Sequence, residues 1–158
     1  MTRVNERHSV NARCLQLILS AFFTLLFSAC TINSSQGMNK NSTLYEQLGG
    51  QNKLEEIADN FVDEISFDAQ IYPYFANSNI KRFKNKLVEQ LCVMSEGPCQ
   101  YSGDTMEQVH TGMNITERDF NRTVDLFIAA MTKAGISHPL QNRLLKEMAQ
   151  TRDQMLYK

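Results

Sequence analysis

The sequence has no concentration of charge of one sign. Its 16 lysines and arginines nearly balance 17 aspartates and glutamates, and the basic residues are scattered along amphipathic segments. A nucleic-acid surface requires a basic block, so the composition argues against a nucleic-acid partner. The chain also has no glycine-rich phosphate-binding motif and no recognisable Ser-His-Asp arrangement, which argues against the corresponding nucleotide-binding and hydrolytic enzymes.

No stretch of the sequence reads as a β-strand, and no internal repeat is visible. From residue 43 onward, apolar residues recur at spacings of three and four, the pattern of amphipathic helices. Thr43, Asn79, Thr116 and Ser137 are predicted to cap helices. The chain length permits one domain. The helical pattern and the absence of strand-like stretches predict that this domain has an all-α fold. The last helix is expected to bury a stripe of five apolar residues, which are Leu140, Leu144, Leu145, Met148 and Leu156.

The apolar segment near the N-terminus is too short for a typical transmembrane helix. It covers residues 15–26, whereas a spanning helix needs about 20 apolar residues. Three arginines precede it, and the small-residue ending Ser28-Ala29-Cys30 follows it. A positive front, an apolar middle and a small-residue end are the three zones of a secretory signal. We therefore predict a signal peptide at residues 1–29.

The Ser28-Ala29-Cys30 ending resembles the lipobox of bacterial lipoproteins. Lipidation of Cys30 would attach an otherwise water-soluble domain to a membrane. Residues 30–41 are rich in Ser, Asn, Thr and Gln and are expected to form a flexible tether before a folded domain at residues 42–158. The predicted location is the cell envelope or periplasm, as an exported, membrane-anchored lipoprotein. An ordinary signal peptide that is cut nearby is the alternative.

Two of the four cysteines fall within the predicted domain. Cys92 and Cys99 are expected in an oxidising compartment, where disulfides persist. In a continuous helix their α-carbons would lie about 10 Å apart, too far to bridge, but Gly97-Pro98 allows the chain to turn between them. The sequence is compatible with a disulfide and with two free thiols. Two thiols without a neighbouring histidine do not indicate a metal site.

One histidine lies in the middle of an apolar stripe. If residues 106–116 are helical, His110 shares a face with Met106, Val109 and Met113, and Gly112 is expected to end the helix. Neutral imidazole is a good ligand for iron, and haem requires apolar walls around it. The simpler interpretation is a core histidine that forms a hydrogen bond to a nearby carbonyl group.

Four spaced motifs resemble those of the group I truncated haemoglobins. They are Leu44-Tyr45-Glu46-Gln47-Leu48-Gly49-Gly50, Tyr74-Phe75-Ala76, Gly97-Pro98-Cys99-Gln100-Tyr101-Ser102-Gly103, and His110 with Gly112 and Ile115-Thr116. The resemblance runs from about Ser42 to the C-terminus, in order and without large gaps. It implies a truncated globin fold, which is a two-over-two helical sandwich around one haem b. It also implies that His110 is the proximal iron ligand.

The same resemblance implies the other cofactor-binding residues. Phe75 is expected against the haem plane, and a helix at about residues 79–94 is expected to form the distal wall. On this wall Phe83 and Leu87 would face the bound gas, and Lys86 would meet a haem propionate. Four further residues are expected at the haem, namely Val62, Val109, Ile115 and Phe120.

Two distal positions depart from the family pattern. Family members that hold oxygen strongly usually have a tyrosine where this chain has Val62, and often a glutamine where it has Leu87. Neither valine nor leucine can donate a hydrogen bond. Each missing donor removes about 1.5–3 kcal/mol of stabilisation from bound oxygen, enough to lower the affinity ten-fold or more. Tyr45, Tyr72 and Tyr74 are alternative donors.

The sequence therefore predicts a haem-binding globin that reversibly binds oxygen, carbon monoxide, nitric oxide or a similar small ligand. A binding or carrier function is expected ahead of catalysis. The second possibility is a haem-dependent enzyme that turns over nitric oxide or peroxide, which needs electrons from a separate, unidentified reductase. The third is an interaction lipoprotein that has kept the fold and lost the haem.

Overall fold

The computed structural model describes residues 42–158, which form seven α-helices and one 3-10 helix. The helices are α1 (Leu44–Leu48), α2 (Gly50–Ser66), α3 (Tyr72–Phe75), α4 (Ile80–Met94), α5 (Met106–His110), α6 (Glu117–Lys133) and α7 (His138–Met148), followed by the 3-10 helix Ala149–Gln154. Within this part of the chain, β-type backbone pairing is limited to one isolated parallel bridge between Ile115 and Leu156. The all-α prediction is confirmed.

The predicted signal peptide, the lipidation site at Cys30 and the tether lie outside the described residues. Across residues 42–158, every helix is too short or too polar to cross a bilayer.

Side-chain caps explain where several helices begin. Thr43 and Thr116 form the predicted capping boxes at α1 and α6, and Thr105 forms a third at α5. The Asn79 side chain accepts a hydrogen bond from the backbone of α4. Each cap satisfies a backbone N–H group that has no partner inside its helix. Gly49 separates α1 from α2 with a φ of 107°, a backbone conformation that favours glycine.

The core lies where α2 packs against α4 and α6. Phe61 is central to it, because its ring lies 5.2 Å from that of Phe127, edge-on, and 6.3 Å from that of Phe83. Thirteen buried residues of these helices belong to the core, namely Leu54, Ile57, Ala58, Phe61 and Ile65 of α2, Leu87, Val88, Leu91 and Cys92 of α4, and Leu126, Phe127, Ala130 and Met131 of α6. This packing holds α4 and α6 in place as two walls of the site described below.

Two details of the helix prediction are wrong. Ser137 precedes the last α-helix, but its side chain makes no capping hydrogen bond. The last α-helix ends at Met148, so Leu156 lies beyond it, and Leu156 is buried because it pairs with Ile115.

The helix that contains His110 is five residues long. The predicted helix stop at Gly112 is confirmed, because Gly112 takes a positive φ of 84°, which leaves Met113 in the loop that follows.

Cys92 and Cys99 form a disulfide with their α-carbons 5.9 Å apart. The turn between them is closed by the backbone N–H group of Gly97, which donates to the carbonyl oxygen of Cys92 over 2.7 Å. A β-carbon on Gly97 would lie 2.6 Å from the Cys92 sulfur, so the turn requires glycine. The disulfide joins the C-terminal end of α4 to the loop that leads to α5.

Candidate functional site

A cavity of about 670 Å³ lies between α4 and α5, with further walls from α6 and the C-terminal segment. This volume is within the range of about 300–1,000 Å³ that is typical of ligand and cofactor sites. Apolar side chains form most of the lining. The cavity is therefore suited to a large, mainly apolar molecule.

Eight of the nine cofactor-binding residues that the sequence predicted line this cavity. They are Phe75, Phe83, Lys86, Leu87, Val109, His110, Ile115 and Phe120. The fold thus brings together residues from α3, α4, α5, α6 and the loop before α6.

Val62 is the ninth predicted residue, and it does not line the cavity. The preceding residue, Phe61, fills this part of the wall and packs against Phe127 and Phe83. Consecutive helical residues point about 100° apart, so an inward Phe61 leaves its neighbour at the border of the buried face. Val62 is accordingly half-buried.

The imidazole of His110 has a defined hydrogen-bonding state. Its Nδ1 lies 2.6 Å from the carbonyl oxygen of Met106. Because a carbonyl oxygen can only accept, Nδ1 carries the proton and donates it, and the neutral ring keeps a lone pair on Nε2. No described residue forms a hydrogen bond to Nε2. The carbonyl partner that the simpler interpretation predicted is present, but it uses only one of the two nitrogens.

Burial favours the neutral form of this ring. Desolvation lowers the pKa of His110 below its ordinary value of 6.5, and the hydrogen bond to Met106 opposes part of that effect. A neutral imidazole with an available Nε2 is the form that binds a metal ion. His110 thus meets the chemical requirements of an iron ligand.

Two cations line the cavity on α4 and bind the loop that leads to α5. Lys86 donates to Glu89 over 2.9 Å and to the Ser102 hydroxyl over 2.5 Å, and Arg82 pairs with Asp104 at 3.1 Å. The hydrogen bond from Lys86 is the main reason that the pKa of Glu89 falls to about 2. Positive charge is therefore available at the cavity, at present paired with carboxylates.

Of the three tyrosines that the sequence left as alternative donors, Tyr74 alone lines the cavity. Its hydroxyl donates to the Asp119 carboxylate over 3.0 Å, and burial together with this bond raises the pKa of Tyr74. Asp119 also accepts from Thr116 and Gln70, and the bond from Thr116 is the largest cause of its low pKa of about 2. Because Asp119 is ionised, the Tyr74 proton is held in a charge-assisted hydrogen bond.

Gln90 also lines the cavity, although it is not among the residues predicted from the sequence. Its amide Nε2 lies 3.0 Å from the sulfur of Met106. The signal was present in the sequence, because Phe83, Leu87, Gln90 and Met94 are spaced by four, three and four and all line the cavity. The prediction used only the apolar residues of this helix face, so it did not include the glutamine.

Comparison with known sequences identifies relatives over the same region. The model of the family described as "Bacterial-like globin" matches residues 43–157. A protein named "Group 1 truncated hemoglobin GlbN" from Mycolicibacterium paratuberculosis is 32% identical over 108 residues, which are 68% of this chain and 79% of that protein.

Solved structures agree with the sequence match. The truncated hemoglobin from Tetrahymena pyriformis, in its Fe(III) form, superposes with a TM-score of 0.71 at 26% identity and covers 74% of this chain and 100% of its own. The 2/2 hemoglobin from Synechococcus gives a TM-score of 0.68 at 18% identity and covers 73% of this chain and 98% of its own. The second match concerns the fold alone, and the prediction of a two-over-two helical sandwich is confirmed.

Proposed function

Because the chain belongs to the bacterial-like globin family, among the group 1 truncated haemoglobins, we propose that His110 is its proximal iron ligand and that its cofactor is haem b. The protein is a haem-binding globin, and binding of small gaseous ligands at the haem is the general function of the family. The haem supplies the iron at which such a ligand is held. The observation that carries the proposal is the neutral, cavity-lining imidazole of His110 with Nε2 available.

The residues around the cavity fit a haem. The rings of Phe75 and Phe83 lie 4.9 Å apart, edge to face, and form an apolar wall that removes a macrocycle from water. Leu87, Ile115 and Phe120 extend the apolar lining. A carboxylate-bearing cofactor also needs cations at its polar edge, and the Arg82 and Lys86 pairs described above supply them.

Each side chain has a distinct part in the proposed function. His110 would hold the iron through Nε2, and its bond to Met106 fixes the tautomer and the ring orientation. Lys86 would bind a haem propionate in place of Glu89 and Ser102. Phe83 and Leu87 exclude water from the ligand. We propose reversible binding of oxygen or another small diatomic gas on this side of the cavity.

Replacement of His110 tests the haem assignment. His110→Gly is expected to abolish haem retention or to leave a site that added imidazole fills, because the variant has no other group at that position. The Soret band of protein purified with haem, with and without imidazole, is the measurement. His138→Gly removes an exposed imidazole and serves as the matched control. An unchanged Soret spectrum in His110→Gly contradicts the assignment.

We also propose that the protein is exported and anchored to a membrane through a lipid on Cys30. The support is the sequence of residues 1–30, with its positive front, its apolar middle and its lipobox-like end. Cys30→Ser is expected to move the protein from the membrane fraction to the soluble fraction of its host. Cys14→Ser, within the predicted signal peptide, is the matched control. Equal partitioning of both variants with wild type contradicts lipidation at Cys30.

A further inference from the structure

Two tyrosines of the described part of the chain line the cavity, and they differ in the acceptor of their hydroxyl group. Tyr74 of α3 donates to Oδ2 of Asp119 over 3.0 Å, whereas Tyr101 donates to the backbone carbonyl oxygen of Asp104 over 2.8 Å. Asp119 also lines the cavity. A carboxylate within hydrogen-bond distance can take a proton from its partner, but a backbone carbonyl oxygen only accepts a hydrogen bond. Tyr74 is therefore the cavity-lining tyrosine whose proton has a place to go.

The charge of Asp119 favours the loss of an electron from Tyr74. Because its pKa is about 2, chiefly through the hydrogen bond from Thr116, Asp119 is ionised at neutral pH. An anion 3.0 Å from the phenol stabilises the positive charge that develops when the ring loses an electron. An oxidised phenol is far more acidic than a phenol, so even a weak base such as Asp119 takes its proton. The Thr116 hydroxyl, which donates to the same oxygen over 2.6 Å, can rotate away and leave room for that proton.

Tyr74 is accessible both from the cavity and from solvent. The next residue along the chain, Phe75, packs edge-on against Phe83 at 4.9 Å in the wall of the cavity. Tyr74 itself is half-buried, and Tyr72, two residues earlier in α3, is 48% exposed. A small reductant in solvent can therefore approach α3 from outside, while a cofactor in the cavity lies on its inner side.

We propose that Tyr74 and Asp119 form an electron and proton relay, through which a small enediol reductant supplies the haem-loaded protein with electrons for the reduction of hydrogen peroxide. This inference rests on the proposed haem function, because haem supplies the chemistry at the peroxide. The relay gives the chain its own entry point for the electrons that such catalysis needs.

Each turn of the relay moves one electron and one proton. The electron leaves the phenol of Tyr74 for the cavity, and the O–H proton moves to Oδ2 of Asp119, which leaves a neutral tyrosyl radical. The enediol gives one hydrogen atom to this radical and restores the phenol, and Asp119 releases its proton. Two turns supply two electrons and two protons, which hydrogen peroxide takes up as its O–O bond breaks and two water molecules form, while two enediol molecules each lose one hydrogen atom.

Freeze-quench electron paramagnetic resonance of the haem-loaded Fe(III) protein, mixed with an equal amount of hydrogen peroxide, tests the relay. Wild type is expected to form a tyrosyl radical, identified by the change in its spectrum when the protein carries ring-deuterated tyrosine. Tyr74→Phe keeps the ring without the hydroxyl and is expected to lose this signal. Asp119→Asn keeps the shape without a proton acceptor and is expected to slow radical formation by about 100-fold, the lower end of what a positioned base contributes.

Tyr101→Phe is the matched control, because it removes the other cavity-lining hydroxyl and is expected to keep the radical signal of wild type. Slower radical formation in D2O than in H2O checks the proton transfer in wild type itself, should Asp119→Asn not fold. With ascorbate as the enediol, Tyr74→Phe is also expected to consume peroxide more slowly than Tyr101→Phe does.

Two outcomes overturn the relay and leave the haem assignment intact. They are equal radical signals in wild type and Tyr74→Phe, and no tyrosyl radical in a wild-type protein that has a normal Soret band. A wild-type protein that takes up no haem, seen as a missing Soret band, overturns the proposed function and this inference with it.

Discussion

Helices α4 and α5 both line one cavity, but they are held in place differently. α4 has 15 residues, four of them buried in the core, whereas α5 has five residues, none of them buried. Polar contacts hold α5, including the Thr105 capping box, the bond from Gln90 to Met106 and the ion pair of Lys158 with Glu107 at 3.6 Å. The proposed iron ligand therefore lies on a helix that contributes no residue to the buried core.

This difference indicates what the cofactor contributes to the fold. Isolated helices shorter than about 12–15 residues are marginal in water, so α5 needs tertiary contacts. Its apolar residues Met106 and Val109 face the cavity, and Val109 remains 42% exposed. A haem in the cavity would bury them and would hold His110 through the iron. We infer that haem stabilises α5 strongly and α4 only weakly.

The largest expected effect follows from removal of the haem. Amide hydrogen exchange in α5 is expected to become at least about 100-fold faster, because haem at 100 times its Kd adds about 2.7 kcal/mol to any opening that releases it. Exchange in the buried half of α4 is expected to change far less. Hydrogen exchange of peptides from both helices, with and without haem, is the measurement. Equal changes in the two helices would show that α4 depends on haem as much as α5 does.

Loss of the disulfide is expected to have the next largest effect. Cys92 and Cys99 are seven residues apart, and closure of so short a loop contributes about 2.5 kcal/mol to the free energy of unfolding in the chain-entropy account. Cys99→Ser is the better variant, because Cys92 is fully buried and its replacement would also disturb packing. Urea unfolding gives the free energy, and wild type treated with a dithiol reductant is the control.

Loss of the disulfide is also expected to affect α4 and α5 differently. Since it anchors the loop before α5 to the end of α4, its loss is expected to speed hydrogen exchange in residues 100–111 more than in α4. An unchanged urea midpoint in both Cys99→Ser and reduced wild type would show that other contacts hold this loop.

The smallest expected effect is the pH dependence that His110 contributes to the haem-free protein. Burial lowers its pKa in the folded state, so the unfolded chain binds this proton more tightly. The stability that neutral His110 contributes is therefore fully present above pH 6.5 and is lost as the pH falls below that value. His110→Leu is expected to flatten this part of the curve of unfolding free energy against pH, with His138→Leu as the control. Parallel curves for wild type and His110→Leu would contradict the effect of burial.

The sequence alone determined the local structure of this domain. The caps at Thr43, Asn79 and Thr116 bond to residues three positions away, and helical periodicity depends on neighbours within two turns. These interactions are contained in short segments, so they can be predicted without knowledge of the rest of the fold. The resemblance of spaced motifs then placed distant segments around a haem, with His110 among them.

Only the tertiary structure decided which side chains meet across the chain. The burial of Leu156 depends on its bridge to Ile115, and the exclusion of Val62 from the cavity depends on how Phe61 packs against α4 and α6. The pairing of Gln90 with Met106 joins two helices whose separation the disulfide turn helps to set. Such contacts depend on the relative positions of whole helices, and local periodicity carries no information about those positions.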